Sequence, residues 1–227
     1  MGDRRFFFID GNGKRFSGAT KAPILPIRAD YDEERGVLSL HLPNGIVVSG
    51  SADPGVETVE VNFYGRPVAA RVVEGDFAEA LSAYAGQEVR LVRPERAGQA
   101  IDVRPVTLVS LESVAELARR GGRDGPLDPG RFRMTIEIEG VAAPHEEDTW
   151  AGRAVRLGDT VIRIGEPVPR CVVTMLDPAT GVRDFPTLRV IRDYRGTNAD
   201  NQLEFGVYAG VETPGEVRVG DPVEPLG

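Results

Sequence analysis

Pro169-Arg170-Cys171-Val172-Val173-Thr174-Met175-Leu176-Asp177-Pro178-Ala179-Thr180-Gly181 contains the only cysteine of the 227-residue chain. Residues 172–176 are a short apolar run rich in β-formers, and Asp-Pro-Ala-Thr-Gly after them is turn chemistry. The pattern therefore predicts a strand over 172–176, with Cys171 near its start. Pro169 restricts the backbone ahead of it, and Arg170 sets a positive charge beside it. The thiolate is the form that binds metals or attacks electrophiles, and electropositive surroundings are where such cysteines are found. The competing reading is a small buried hydrophobe, the usual lot of an unpaired cysteine.

Outward from this stretch the chain is mostly extended. Upstream, 155–157 and 160–164 form a tight pair about Gly158-Asp159, 132–138 reads as a strand, and Trp150 follows the acidic turn Glu146-Glu147-Asp148. Downstream, Thr187 is placed to cap a helix with Leu188, Ile191 and Tyr194 inward and Gly196 closing it. Strands are predicted over 203–208 and 216–219. Further towards the N-terminus, two hairpins turn at Asp10-Gly11-Asn12-Gly13 and Pro43-Asn44-Gly45. Val59, Val61 and Phe63 alternate with polar residues, and 67–73, 89–92 and 105–109 are extended. Asp76 with Glu79 marks the start of a helix carrying Phe77, Ala80, Leu81 and Tyr84 on one face. Ser110 caps another, with Leu111, Val114, Leu117 and Ala118 as its stripe and Gly121-Gly122 as its stop. Strands outnumber short, scattered helices, so the expected class is mostly β, a barrel decorated with a few helices.

Composition narrows the function. The formal charge of −8 argues against general nucleic-acid or anionic-membrane binding, which needs a basic face. One cysteine leaves no intramolecular disulfide and no cysteine-ligated iron–sulfur cluster, and with only His41 and His145 beside it a zinc finger is out of reach. Lys14 and Lys21 are the only lysines, and neither sits where a Schiff-base lysine is expected. The N-terminal apolar run 6–9 is too short for a signal-peptide core or a membrane span, so the expected address is the cytoplasm. His145, before an acidic run, reads as a surface residue. His41, inside a strand, reads as a buried polar group, and Trp150 reads as a core anchor between strands.

Four blocks taken in order carry a family likeness. They are Arg131-Phe132-Arg133, Glu147-Asp148-Thr149-Trp150, the Pro169-Arg170-Cys171 block with its Asp177–Gly181 turn, and Val219-Gly220-Asp221-Pro222-Val223. Together they resemble the MOSC domain, named for the C-terminal part of molybdenum-cofactor sulfurases. Within it the likeness runs to the mitochondrial amidoxime-reducing component and its bacterial relatives. Asp3-Arg4-Arg5-Phe6 with Asp10 and Gly13 looks like the second half of the β-barrel module that precedes the domain in many members. The expected organisation is thus a partial, shortened N-terminal module over 1–55 and a MOSC domain over 56–227.

The resemblance implies a molybdenum–pterin cofactor, with Cys171 as metal ligand and catalytic residue. Arg131, Arg133 and Arg170 are implied for the cofactor's anionic end, Thr135 beside it, and Asp148 lining or bracing the pocket. Soft thiolate sulfur suits such a metal, and guanidinium forks suit a phosphate. Two departures stand out. Met134-Thr135 follows Arg133 where the amidoxime reducers carry Pro-Asn, which leaves a hydroxyl in place of an amide. The relatives' lysine-bearing first strand has no counterpart in the sequence, and a later arginine of that module falls near Thr20-Lys21, where no arginine stands, so the N-terminal half-pocket is expected to be reduced, in part missing, or rebuilt. The leading expectation is a reductase of N-hydroxylated small-molecule substrates. Its electrons come from a separate protein, a heme or iron–sulfur donor among relatives, since the chain lacks cluster ligands and a Rossmann fingerprint. The alternatives are a persulfide sulfur carrier on Cys171, fed by a sulfur donor, and a non-catalytic barrel that binds another ligand.

Overall fold

A computed structural model describes residues 4–17, 24–101 and 103–226. They form two compact units, one comprising residues up to 102 with 179–182, the other 103–178 with 183–226. The boundary expected after residue 55 falls within a strand of the first unit.

The first unit contains β1 (Phe7–Asp10), β2 (Arg15–Phe16), β3 (Arg28–Asp32), β4 (Val37–His41), β5 (Val47–Ser51), β6 (Pro54–Phe63), β7 (Arg66–Val73), α1 (Phe77–Ala85) and β8 (Val89–Pro94). Both glycine-rich turns make the predicted hairpins, β1–β2 and β4–β5. The strands build a five-stranded sheet, in order β2-β1-β8-β7-β6, and a three-stranded sheet, β3-β4-β5. Leu38, Leu40, Val48, Phe77, Leu81 and Leu91 make one core, and Ile9, Val61, Phe63, Val68 and Val92 make another. α1 spans what its apolar face predicted and ends at left-handed Gly86, but the Asp76 side chain makes no capping hydrogen bond. His41 is exposed, not buried, because β4 turns its even-numbered leucines inward and its last residue out.

The second unit contains β9 (Val106–Ser110), α2 (Leu111–Arg120), β10 (Ile136–Ile138), β11 (Ala154–Leu157), β12 (Thr160–Pro169), α3 (Thr187–Arg195), β13 (Glu204–Thr213) and β14 (Val223–Pro225). Its six strands make a half-barrel sheet in the order β10-β9-β13-β12-β11-β14, parallel only between β10 and β9. All five residues of β9 are buried, so this strand carries core on both faces. Leu108 joins Trp150, Val155, Ile162, Ile164 and Val207 on one side. Val109 joins Val114, Leu117, Phe132, Phe185, Ile191 and Phe205 under the helices on the other. Trp150 is the core anchor expected, 3% exposed. The chain is mostly β, and the described residues include three short α-helices.

Four local expectations are corrected. Val172–Met175 is a 3-10 helix, not a strand. The Thr174 backbone N–H and hydroxyl both donate to Cys171 O (3.2 and 3.0 Å) and Leu176 N–H donates to Val173 O (3.0 Å), so these groups are met within the turn, and Leu176 alone of the run bridges to Arg183. Only 136–138 of the predicted 132–138 strand is extended; Pro129–Phe132 is a 3-10 helix, begun by the Asp128 carboxylate accepting from Gly130 N–H and ended by Arg133 at φ 52°. Segment 216–219 is irregular, because Asp221 Oδ2 accepts from Arg218 N–H (2.7 Å) and closes a turn where a ladder would run. Thr187 lies inside α3 as its first residue, and its hydroxyl donates to Thr174 O (2.6 Å) in place of a cap.

Candidate functional site

Cys171 stands past the end of β12, separated from it by Arg170 alone, and begins the 172–175 turn; its thiol is free and exposed, which removes the buried-hydrophobe reading. The turn is held from below. Thr174 O accepts from the Thr187 hydroxyl and from Arg131 Nη1 (3.1 Å). Arg131 is 1% exposed, the largest fully buried side chain of the fold. It forks both terminal nitrogens onto the Asp184 carboxylate (3.1–3.2 Å), donates Nε–H to Asp128 O and faces the Phe185 ring. Its charge is spent on joining the 129–132 turn to the 172–175 turn.

Arg170 points inward as well. Nε and Nη2 both donate to Phe205 O (2.8 and 2.6 Å), Nη1 donates to Phe132 O (3.1 Å), and Nη2 reaches Met134 Sδ (2.8 Å). The Phe132 and Phe205 rings stack at 4.6 Å, with the Arg170 guanidinium over the former. Arg133 differs. It is exposed, in a left-handed conformation, and its side chain has no hydrogen-bond or ion-pair partner among the described residues. Thr135 bridges β10's approach to β9, where its hydroxyl lies 3.2 Å from that of Thr107 and its N–H donates to the same oxygen (2.9 Å).

Asp148 pairs with Arg195 at the end of α3 (2.6 Å), while its other carboxylate oxygen is buried without a partner. Beside it stands His145, which the structure removes from the surface. Its ring packs edge-on to Phe205, Nε2 shares a hydrogen bond with the Tyr194 hydroxyl (3.0 Å), and Nδ1 is buried and unpartnered. Burial, then the Arg195 charge, pushes the His145 pKa down to about 4. Burial pushes Tyr194 up to about 12. His145 is therefore neutral near pH 7. It was misread because the fold of the 141–145 loop onto α2, tied by His145 N–H to Ser113 Oγ (2.7 Å), leaves no local trace.

Glu147 is a second buried polar group of the same acidic turn. It is fully buried, and its carboxylate accepts from Ser110 N–H and from the hydroxyls of Ser110 and Ser113, which staples the 146–150 turn to the start of α2. The serine pair at 110 and 113 is the only hint in the chain, and it reads first as an ordinary helix start. A surface groove of about 300 Å³ on α2 is lined by Glu112, Glu116, Arg119 and 142–144 and includes none of the candidate residues. Arg119 and Arg120, donating to Glu116, hold its carboxyl down at about 2. Thr20-Lys21 lie outside the described residues. Among those described, no three His, Cys, Asp or Glu side chains gather as a metal cage, so a metal at Cys171 would take its other ligands from elsewhere.

The exposed Cys171 thiol thus stands just past a half-barrel strand, on a turn that buried Arg131 ties to the 129–132 turn. The MOSC domain family model matches residues 80–224, and the chain belongs to that family. Among curated relatives it is similar to mitochondrial amidoxime reducing component 2 of Rattus norvegicus, 34% identical over 129 residues, which is 54% of this chain and 37% of the relative. It is also similar to component 1 of Xenopus laevis, 36% identical over 54% of this chain and 36% of the relative. The human component 1 is 32% identical over 60% of this chain and 41% of the relative. The matched region thus spans about two fifths or less of each of these relatives. A crystal structure of YiiM from Escherichia coli aligns over 55% of each chain, with 17% identity and a TM-score of 0.39.

Proposed function

We propose that this chain binds a molybdenum–pterin cofactor through Cys171 and reduces N-hydroxylated small molecules with electrons from a separate donor protein. The observation that carries the proposal is the free, exposed thiol of Cys171 in a member of this family. The donor set fits the group at two points. Cys171 offers a soft thiolate, and the unpaired Arg133 guanidinium offers a fork for a phosphate. Arg131, Arg170 and Thr135 spend their polar atoms inside the protein, so their part is to hold the turns that carry those two residues. When bound, such a cofactor supplies two-electron redox chemistry at a soft metal. His145, neutral near pH 7 and one ring behind Phe205, adds no positive charge to the anion side.

The resemblance to amidoxime-reducing components supports both the substrate class and a separate electron donor. Among the described residues, no helix is long and apolar enough to cross a membrane. The inward commitment of Arg131 and Arg170 gives some weight to a second reading, in which Cys171 carries a persulfide and needs no anion pocket.

The test is purification from a host that makes the cofactor, followed by assay with an amidoxime and a reduced viologen dye. Amidoxime loss in the wild type and none in Cys171→Ala supports the reductase. An inactive protein that releases thiocyanate on cyanolysis supports sulfur carriage.

A further inference from the structure

The strands β12 and β13 fall out of step just before Cys171. Pro167 pairs with Val207 and Pro169 with Glu204, so β13 holds one extra residue over this interval. The surplus lies at Phe205-Gly206, where Gly206 sits at φ 70°, the glycine-type bulge. A Cβ at Gly206 would stand 2.7 Å from Leu108 O and 2.6 Å from Met134 Cε, so the bulge is closely fitted. A bulge takes carbonyls out of the ladder, and Phe205 O accepts from two Arg170 nitrogens.

The same guanidinium holds Phe132 O, and that carbonyl belongs to the peptide unit joining Phe132 to Arg133. One planar fork therefore fixes the backbone on both sides of the site. It immobilises the residue preceding Cys171 and, across the fold, the peptide that sets Arg133 in its left-handed conformation. Lysine's single ammonium could not reproduce this, because the arrangement uses three nitrogens in a fixed plane on acceptors from two segments.

We infer that Arg170 is a positioning residue that presents Cys171 and the Arg133 guanidinium to a common ligand. This rests on the proposed cofactor site for its purpose, but its test on metal-free protein does not.

Because Cys171 is the only cysteine, its second-order rate with Ellman's reagent reports one thiol. Arg170→Lys is expected to change that rate by about threefold or more, since loss of the fork frees the turn carrying the thiol. Met134→Leu, which removes one acceptor and leaves the carbonyl contacts, is expected to move the rate in the same direction by less, and serves if Arg170→Lys does not fold. Leu81→Ala is a control for lost stability, since Leu81 lies in a core of the first unit that shares no residue with the Arg170 contacts; it lowers the melting temperature with the thiol rate unmoved. Arg133→Gln loses molybdenum. A wild-type rate in Arg170→Lys and Met134→Leu overturns the inference, as does retained molybdenum in Arg133→Gln when the wild type binds it. A wild type without molybdenum overturns the cofactor reading instead and leaves the thiol comparison standing.

Discussion

Arg131 has no exposed side-chain surface, yet it carries a full charge, and Asp184 answers it with both carboxylate oxygens. Breaking a buried pair from one side leaves an uncompensated charge, which costs about 3–5 kcal/mol. Asp184 is partly exposed and also receives Arg123, so Arg131→Met is expected at the lower end, a loss of about 3 kcal/mol in urea unfolding. His145 makes the second prediction. Its folded pKa of about 4 lies below the ordinary 6.5, so between those values the unfolded chain binds the extra proton. Stability therefore falls as pH drops from about 6.5 to about 4, by about 1–3 kcal/mol for this group. Asparagine tolerates the left-handed backbone at this position, φ 64°. His145→Asn should flatten that part of the stability–pH curve, measured by urea unfolding at pH 7, 5 and 4. An unchanged slope would assign the loss to other groups.

At the scale of elements, periodicity carried far. α1, α2 and the hairpins at 10–13 and 43–45 follow directly from apolar spacing and turn glycines. The 172–176 run shows where that reasoning stops. Its valines favour a strand, but β-propensity acts through neighbouring strands, and here the backbone closes on itself through Cys171 O and Val173 O. The same limit hid the 129–132 turn, which Asp128 and left-handed Arg133 define and hydrophobic pattern does not. Gly206 was legible in principle, since a lone glycine within a strand pattern marks a bulge. Gly206→Ala should destabilise the fold by about 1–3 kcal/mol, from the positive φ and the approach of Leu108 O. Thermal unfolding checks this, and a melting temperature within a degree of wild type would contradict the fitted bulge.

Across the whole molecule, the acidic balance and the sole cysteine confined the function before any contact was known, and the four blocks in order pointed to the family that the model match bears out. What the sequence could not reveal is which arginines face in. Arg131, Arg133 and Arg170 look alike as letters, and only the carbonyls of Phe132, Thr174 and Phe205 separate the two braces from Arg133, whose side chain has no partner among the described residues. The account is tested most directly by molybdenum per chain, measured on protein from a cofactor-producing host for the wild type and Cys171→Ala at equal purity. The expected result is near one metal per wild-type chain and essentially none in the variant. Equal molybdenum in both, or none in the wild type, would contradict ligation by Cys171.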